Sequence, residues 1–450
     1  MKVATSRPPS MTQTSSSIAA LVRLLVATLW AVSAWAAAGA ASAATFTNPI
    51  VEASPDTGSA DPSVVFHRGY YYYCRSLGAR AIGVARARRL QDIGAAPMVT
   101  VFRPPADAAY GRELWAPELQ RIRGRWYIYF AASDGINANH RMYALRAAGD
   151  DPQGRYAFKG RVADASDRWA IDGVALELRG KLYFVWSGWP EAKGDFPQVL
   201  YIAAMRDPWT LAGPRHVLAA PENAWERAVA PLLEGPEPLV HRGRTHLVYS
   251  AGASWSDDYA LGLLTYRGGD PLQSGSWLKQ PQPVFAKSAD AQAFGVGHAS
   301  FVRSPDGRED WIVYHATDRP GAGWRGRSVR TQPFAWSYDN RPDFGRPVAI
   351  GVPLEAPSGT AGAPAVTPGR TAAAGSGAAR ARQPRVRRNT SIRLLAGMSK
   401  RRSSVRPARS AASTTSARRR RPHAGFRWRR SASKATLPGA VGSPSTTYGP

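Results

Sequence analysis

The chain has 450 residues, 44% of them hydrophobic, with a formal net charge of +27 and one cysteine. A single cysteine excludes an intramolecular disulfide framework, so the fold must rest on its core. Twenty Lys or Arg and no Asp or Glu lie from Ser358 to Pro450, so the rest carries 59 − 20 = 39 basic residues against 32 acidic, only +7, and the strong basicity does not describe it.

The chain opens with Lys2, Arg7 and Arg23 ahead of an apolar run from Leu24 to about Ala38, ending in small residues at Ala41-Ser42-Ala43. That order of charge, apolar run and A-x-A site predicts a signal peptide over residues 1–44, cleaved near Ala43 or Ala44. A secreted or periplasmic protein is expected. The run is shorter than the ~20 residues of a membrane span, so no span is expected in the mature chain.

From Thr45 to Pro357 one shape recurs five times. Val64–Tyr73 reads as an apolar strand, a tight turn on Gly69 and an aromatic strand; Cys74, next in that run, reads as a buried small hydrophobe. The same form spans Leu119–Phe130 around Gly124, Val174–Trp186 around Gly180, and Leu239–Tyr249 around Gly243. Phe301–Tyr314 around Gly307 is the fifth. Alternating β-branched and aromatic residues about a glycine turn predict hairpins. The turn glycines are 55, 56, 63 and 64 residues apart, further strand-like runs follow most hairpins, and no long amphipathic helix is visible. Units of this length predict an all-β, five-bladed β-propeller over residues 45–357. A β-sandwich would explain the strands but not their spacing.

In a propeller the first strand of each blade lines the axis, so residues just ahead of it gather at one end. Asp61 lies eight residues before Gly69 and Asp172 eight before Gly180. Trp115, Glu234 and His298 each lie nine before their own turn glycine. Five distant segments are thus predicted to bring two aspartates, a glutamate, a histidine and a tryptophan to one mouth. Glycoside hydrolysis needs an acid for the leaving oxygen and a carboxylate on the opposite face, and a third carboxylate nearby raises the acid's pKa.

Beyond Pro357, residues 358–450 are rich in Ala, Ser, Gly, Thr, Pro and Arg and read as a disordered basic tail. Runs such as Arg418–Arg421 would bind polyanions weakly and in a salt-dependent way, with no specific nucleic-acid motif.

The segments Ser59–Ser63, Leu114–Glu118, Ala170–Gly173, Glu234–Glu237, Gly295–His298 with Trp311–His315, and Gly326-Arg327 ahead of Gln332–Trp336 resemble, in that order, glycoside hydrolase family 43. The resemblance covers nearly all of the body and none of the tail. It implies a five-bladed propeller that inverts configuration and releases arabinofuranose or xylose from arabinan, arabinoxylan or their oligosaccharides. The stretches Glu113–Glu118 and Trp186–Trp189 are most similar to exo-acting α-L-arabinofuranosidases and arabinanases. The resemblance implies Asp61 as general base, Asp172 as the carboxylate that tunes the acid and positions the sugar, and Glu234 as general acid. Arg327 would bind sugar or hold a carboxylate. His298 would sit beneath the site and could meet a structural calcium through waters. No cofactor is expected for the chemistry itself.

Several assignments stay open at this stage. Asp61-Pro62 and Asp172-Gly173 are also common turn pairs. Glu237 rivals Glu234, and Arg330 lies near enough to compete with Arg327. Trp115 could stack on a sugar or merely close a blade; Trp189 and Trp255 are weaker candidates of the same sort. The family often has Gly-Pro-Gly-His-Asn where this chain has Gly295-Val296-Gly297-His298-Ala299, which bears on any metal site but leaves the carboxylates in place. The alternatives are a β-xylosidase or fructan-active propeller and a non-catalytic carbohydrate-binding propeller.

Overall fold

The computed structural model of the protein describes residues 44–54 and 59–360. The expected leader up to residue 43 and the expected tail from residue 361 lie outside the described residues. Four of the five predicted hairpins turn on an Arg-Gly pair with both residues at positive φ: Arg68-Gly69, Arg123-Gly124, Arg179-Gly180 and Arg242-Gly243. Two left-handed residues in succession match the twist of the flanking strands, and glycine accepts the second position without steric cost. The fifth turn, between Arg303 and Asp310, is longer and places Gly307 at φ 70°.

Each hairpin begins a sheet of its own. After the two-residue strand β1 (Thr45–Phe46), blade 1 holds β2 (Ser63–His67), β3 (Tyr70–Leu77), β4 (Ala81–Ala87) and β5 (Met98–Phe102). Blade 2 holds β6 (Arg112–Ile122), β7 (Arg125–Ser133), β8 (Arg141–Ala147) and β9 (Tyr156–Val162). In blade 3, β10 (Ala170–Leu178), β11 (Lys181–Gly188) and β12 (Val199–Asp207) are followed by short β13 (Thr210–Leu211) and β14 (His216–Ala219), both paired to β12. Blade 4 holds β15 (Leu233–His241), β16 (Arg244–Ala251), β17 (Ala260–Tyr266) and β18 (Trp277–Lys279). Blade 5 holds β19 (Phe294–Arg303), β20 (Asp310–Thr317), β21 (Ser328–Trp336) and β22 (Pro342–Asp343), and β23 (Leu354–Glu355) returns to pair with β1. All pairings within the blades are antiparallel. The predicted five-bladed propeller is the fold. Among the described residues no helix is long and apolar enough to cross a membrane.

The core lies between the blades. Strand side chains alternate between faces, so a blade packed on both sides needs apolar residues at odd and even positions alike. The run Tyr70–Cys74 meets that demand: Tyr71 and Tyr73 pack towards Trp311 and Val313 of blade 5, while Tyr72 and Cys74 pack towards Trp126 and Ile128 of blade 2. Cys74 is fully buried, and that burial pushes its thiol pKa well up, which suits an inert space-filler. Comparable clusters fill the other three interfaces, built around Tyr129 with Phe184, Val185 with Leu247, and Leu263 with Ile312.

The ring is closed by hydrogen bonds. Asn48 donates from Nδ2 to the Thr331 carbonyl and accepts the Thr331 N–H at Oδ1, both at 2.9 Å and both buried. Val51 bridges Val329 on the same strand. Downstream of β23, Ser358 donates from Oγ to Asp306 and from its N–H to Glu309, fastening the last described residues to the blade 5 turn. Asn48→Ala would leave a buried N–H and a buried carbonyl unpaired. We expect it to lower stability by about 2 kcal/mol or more, read as a lower midpoint of urea unfolding.

Candidate active site

Near the start of each innermost strand one residue adopts a left-handed conformation: Asp61 (φ 49°), Ala116 (φ 39°), Asp172 (φ 54°), Gly235 (φ 53°) and His298 (φ 40°). In blades 2 to 5 the pairing register slips at this point, as a β-bulge requires. The bulge turns side chains from the sheet face towards the axis. In the first four blades it falls eight residues before the turn glycine, the phase that the sequence displays. Asp61, Asp172 and His298 are the bulge residues themselves, whereas Trp115 and Glu234 precede theirs. A left-handed non-glycine residue costs on the order of 1–3 kcal/mol and is seldom kept without a use.

These residues form one buried cluster. His298 is at its centre: Nδ1 lies 3.4 Å from Asp61 Oδ1 and 3.9 Å from Asp172 Oδ2, and Nε2 lies 3.0 Å from Glu118 Oε1. The His298 N–H donates to Ser250 Oγ at 2.9 Å, which fixes the bulge. Burial opposes protonation of the ring, but Asp61, Glu118 and Asp172 outweigh it and raise its pKa to about 10. His298 is therefore an imidazolium at neutral pH.

Asp61 is the best-compensated carboxylate. Its Oδ1 lies 3.6 Å from Arg327 Nη1 and 3.4 Å from His315 Nδ1, besides the His298 contact. Burial alone would raise its pKa, yet the charges of His298 and Arg327 hold it well below the usual carboxylate range. The Asp61 N–H donates to His315 Nδ1 at 3.2 Å, which assigns the ring proton of a neutral His315 to Nε2. Burial lowers the His315 pKa to about 4, consistent with that neutral ring.

Glu234 and Asp172 shift the other way. Burial raises Glu234, and the hydrogen bond donated by Tyr259 to Glu234 Oε1, at 2.9 Å, offsets only part of this. Burial also raises Asp172, with the charges of Glu234, Asp61 and Glu118 adding to it against the pull of His298. Asp172 Oδ2 accepts the Gly235 N–H at 3.1 Å. Carboxylates in one cluster are thus driven apart, one kept ionised and a pair kept partly protonated.

The open alternatives resolve geometrically. Glu237 sits deeper on the axis: burial and the neighbouring Glu118 charge raise its pKa, and it lines an opening at the turn end with Val65, Gln120, Ala175 and Phe301. Arg330 is buried and donates to the carbonyls of Ala291, Gln292 and Thr317, so it braces loops and leaves Arg327 as the arginine at the carboxylates. Trp115 is half-buried and stacks on His140 with centroids 3.8 Å apart, which covers one face of the indole. Trp189 is buried against Trp169 at 4.6 Å and has no free face. Glu118, His315 and Tyr259 are cluster members that the sequence reading does not single out.

His298 Nδ1 and Nε2 each lie against a carboxylate oxygen, 3.4 Å from Asp61 and 3.0 Å from Glu118, so a calcium beneath the site would meet this ring through waters rather than by a direct bond.

Residues 46–342 match the model of glycosyl hydrolases family 43. An extracellular exo-alpha-(1->5)-L-arabinofuranosidase of Streptomyces avermitilis is 35% identical over 350 residues, covering 74% of this chain and 71% of its own length. Alpha-L-arabinofuranosidase 43 of Humicola insolens is 34% identical over 303 residues, covering 65% of this chain and 62% of its own. The crystal structure of an alpha-L-arabinofuranosidase from Lactobacillus brevis superposes with a TM-score of 0.63 at 34% identity, covering 68% of this chain and 98% of that one.

The His298 assignment can be measured. Its folded pKa of about 10 lies above the ordinary 6.5, so its contribution to stability is complete below pH 6.5 and disappears as pH rises towards 10. We expect its ring nitrogens to show the doubly protonated NMR pattern at pH 8, and Glu118→Gln to lower the pH at which that pattern is lost. Over the same interval the urea midpoint of the wild type should fall more steeply than that of His298→Gln.

Proposed function

The chain belongs to glycosyl hydrolase family 43, and from that premise we propose that it releases L-arabinofuranose from arabinan or arabinoxylan by inverting acid/base hydrolysis. It is a glycoside hydrolase acting on O-glycosyl bonds. The observation that carries the mechanism is the opposite titration of Asp61 and Glu234 within one buried cluster. One carboxylate is ready to take a proton and the other to give one.

The two cations beside Asp61, His298 and Arg327, both lie nearest Oδ1, which leaves Oδ2 to take the proton of the attacking water. The Tyr259 hydroxyl donates to Glu234 Oε1, which leaves Oε2 to carry the acidic proton to the leaving oxygen. The Gly235 N–H donated to Asp172 Oδ2 favours the ionised form of Asp172 against the burial that raises its pKa, and whatever charge Asp172 carries helps to keep the proton on Glu234. Water oxygen bonds to the anomeric carbon as the glycosidic C–O bond breaks. One water proton passes to Asp61 and the Glu234 proton to the leaving oxygen, with inversion. Arg327 holds Asp61 ionised and borders the sugar, and the exposed part of half-buried Trp115 meets the ring.

The arabinose assignment is supported by the relatives at 34–35% identity, which are named arabinofuranosidases. Export is supported by the leader pattern in the sequence and by the extracellular naming of the Streptomyces avermitilis relative.

The test is hydrolysis of aryl α-L-arabinofuranoside, aryl β-D-xyloside and linear arabinan by wild type, Asp61→Asn and Glu234→Gln. We expect arabinose from the first and third substrates. Asp61→Asn should lose about 10²–10⁴-fold on both, because the attacking water needs its base whatever leaves. Glu234→Gln should lose as much on arabinan but clearly less on the aryl glycoside, whose leaving group needs little protonation. Turnover of the xyloside alone would move the substrate to xylan. Turnover of none, with sugar binding retained, would replace hydrolysis with carbohydrate binding.

A further inference from the structure

Three exposed aromatic side chains meet at the mouth of the cluster on loops of blades 3, 4 and 5. Phe196 is 44% exposed, Trp255 37% and Trp324 54%. Phe196 and Trp255 have ring centroids 6.2 Å apart, and Trp255 meets Trp324 edge-on at 5.7 Å. Large apolar side chains scattered singly over a surface need no explanation, but contiguous ones are uncommon without a ligand.

This rim is fastened to both halves of the site. The Trp324 indole N–H donates to Ser254 Oγ at 3.1 Å, and the Ser254 hydroxyl lies against the Glu234 carboxyl. The Trp324 carbonyl accepts from Arg327 Nε at 3.2 Å, and Arg327 reaches Asp61 through its other end. Asp257 accepts the Gly321 N–H with both carboxylate oxygens, at 2.9 and 3.1 Å, tying the blade 4 loop to the blade 5 loop. The rings are therefore held in place while their faces stay in solvent, as a preorganised platform requires.

We propose that Phe196, Trp255 and Trp324 form a binding subsite for the leaving-group side of a pentose oligosaccharide, packing against the C–H face of the sugar beyond the cleaved bond. This rests on the hydrolytic reading of the cluster. The sugar that is released sits at the axis over Asp61 and Asp172, and Glu234 protonates the oxygen that leads away from it. Ser254 joins the rim to Glu234, so the chain leaving on that oxygen is the part that reaches the rings. A sugar face is apolar and its edge hydroxylated, which suits aromatic faces bordered by water and by the polar groups of Ser254 and Arg327.

The test separates this subsite from the chemistry. Linear α-1,5-arabinotriose is titrated into Glu234→Gln protein, followed by tryptophan fluorescence and calorimetry, with Trp324→Ala, Trp324→Phe and Trp255→Ala added in turn. We expect a fluorescence change on binding, a Kd raised about tenfold by either alanine variant, and recovery of most of the loss in Trp324→Phe, which keeps the face and loses only the N–H. In protein with an intact Glu234, the ratio of kcat/KM for arabinotriose to that for methyl α-L-arabinofuranoside should fall about tenfold in Trp324→Ala, since a methyl group is too small to reach the rim. Arabinoside turnover with an unchanged ratio would keep the hydrolytic reading and overturn the subsite. No arabinoside turnover, but a Trp324-dependent fluorescence response to xylotriose, would overturn the arabinose reading and keep the subsite. Equal binding by all variants, or an altered elution volume of the alanine variants with unchanged sugar binding, would overturn it in favour of a contact between copies of the chain.

Discussion

Everything at the axis depends on the positive charge of His298. Asp61, Glu118 and Asp172 converge on one imidazole, each largely out of water. Isolated carboxylates at such depth would protonate rather than stay charged, and one buried cation cannot keep all of them ionised. The cluster therefore settles into an unequal division. Asp61, which also has Arg327, keeps its charge; Glu234 and Asp172, which share what remains, do not both keep theirs. The opposite titration of chemically similar groups follows from where the cations are, not from the residue types.

The fold supplies this arrangement by a local device repeated around a ring. A regular strand would direct successive side chains to the two blade interfaces and none down the axis. A left-handed residue breaks that alternation near the start of every inner strand, and the five positions face one another. Aspartate and histidine tolerate positive φ better than most residues, and glycine takes it in blade 4, where a Cβ on Gly235 would come within 3.1 Å of the His298 ring. The strain at four non-glycine bulges is offset by the interfaces on either side, where aromatic and branched residues fill both faces of the inner strands.

This division also explains how much the sequence discloses. The hairpins, their number and the phase of Asp61 and Asp172 are legible because a turn glycine marks a fixed count along each strand, and counts along a strand survive folding. Trp115, Glu234 and His298 share a second phase, one residue earlier, for the same reason. The roles of Glu118 and His315 are not legible because they come from contacts across blades, and that of Tyr259 because it comes from a loop folding back over its own blade. Tyr259 reaches Glu234 from a loop 25 residues away, and Glu118 meets His298 across 180 residues. Exposure is likewise hidden: Trp189 and Trp255 look alike in sequence, yet one is covered by Trp169 and the other faces solvent beside Trp324.

The same contacts answer a problem that a propeller sets for buried acid/base chemistry. Its axis is a channel, and water entering from the turn end would hydrate the carboxylates and erase the shifts that burial creates. Glu118 and His298 join side chains of blades 2 and 5 across that channel. Below them Gln120 exchanges two hydrogen bonds with the Ala175 backbone, and Ser63 accepts the Leu119 N–H from the next blade. These bonds draw the inner strands together beneath the cluster and leave the far mouth open. Glu237, on the turn side of this layer, is thus an axial carboxylate separated from the acid and base, although it lies only three residues from Glu234 in the chain.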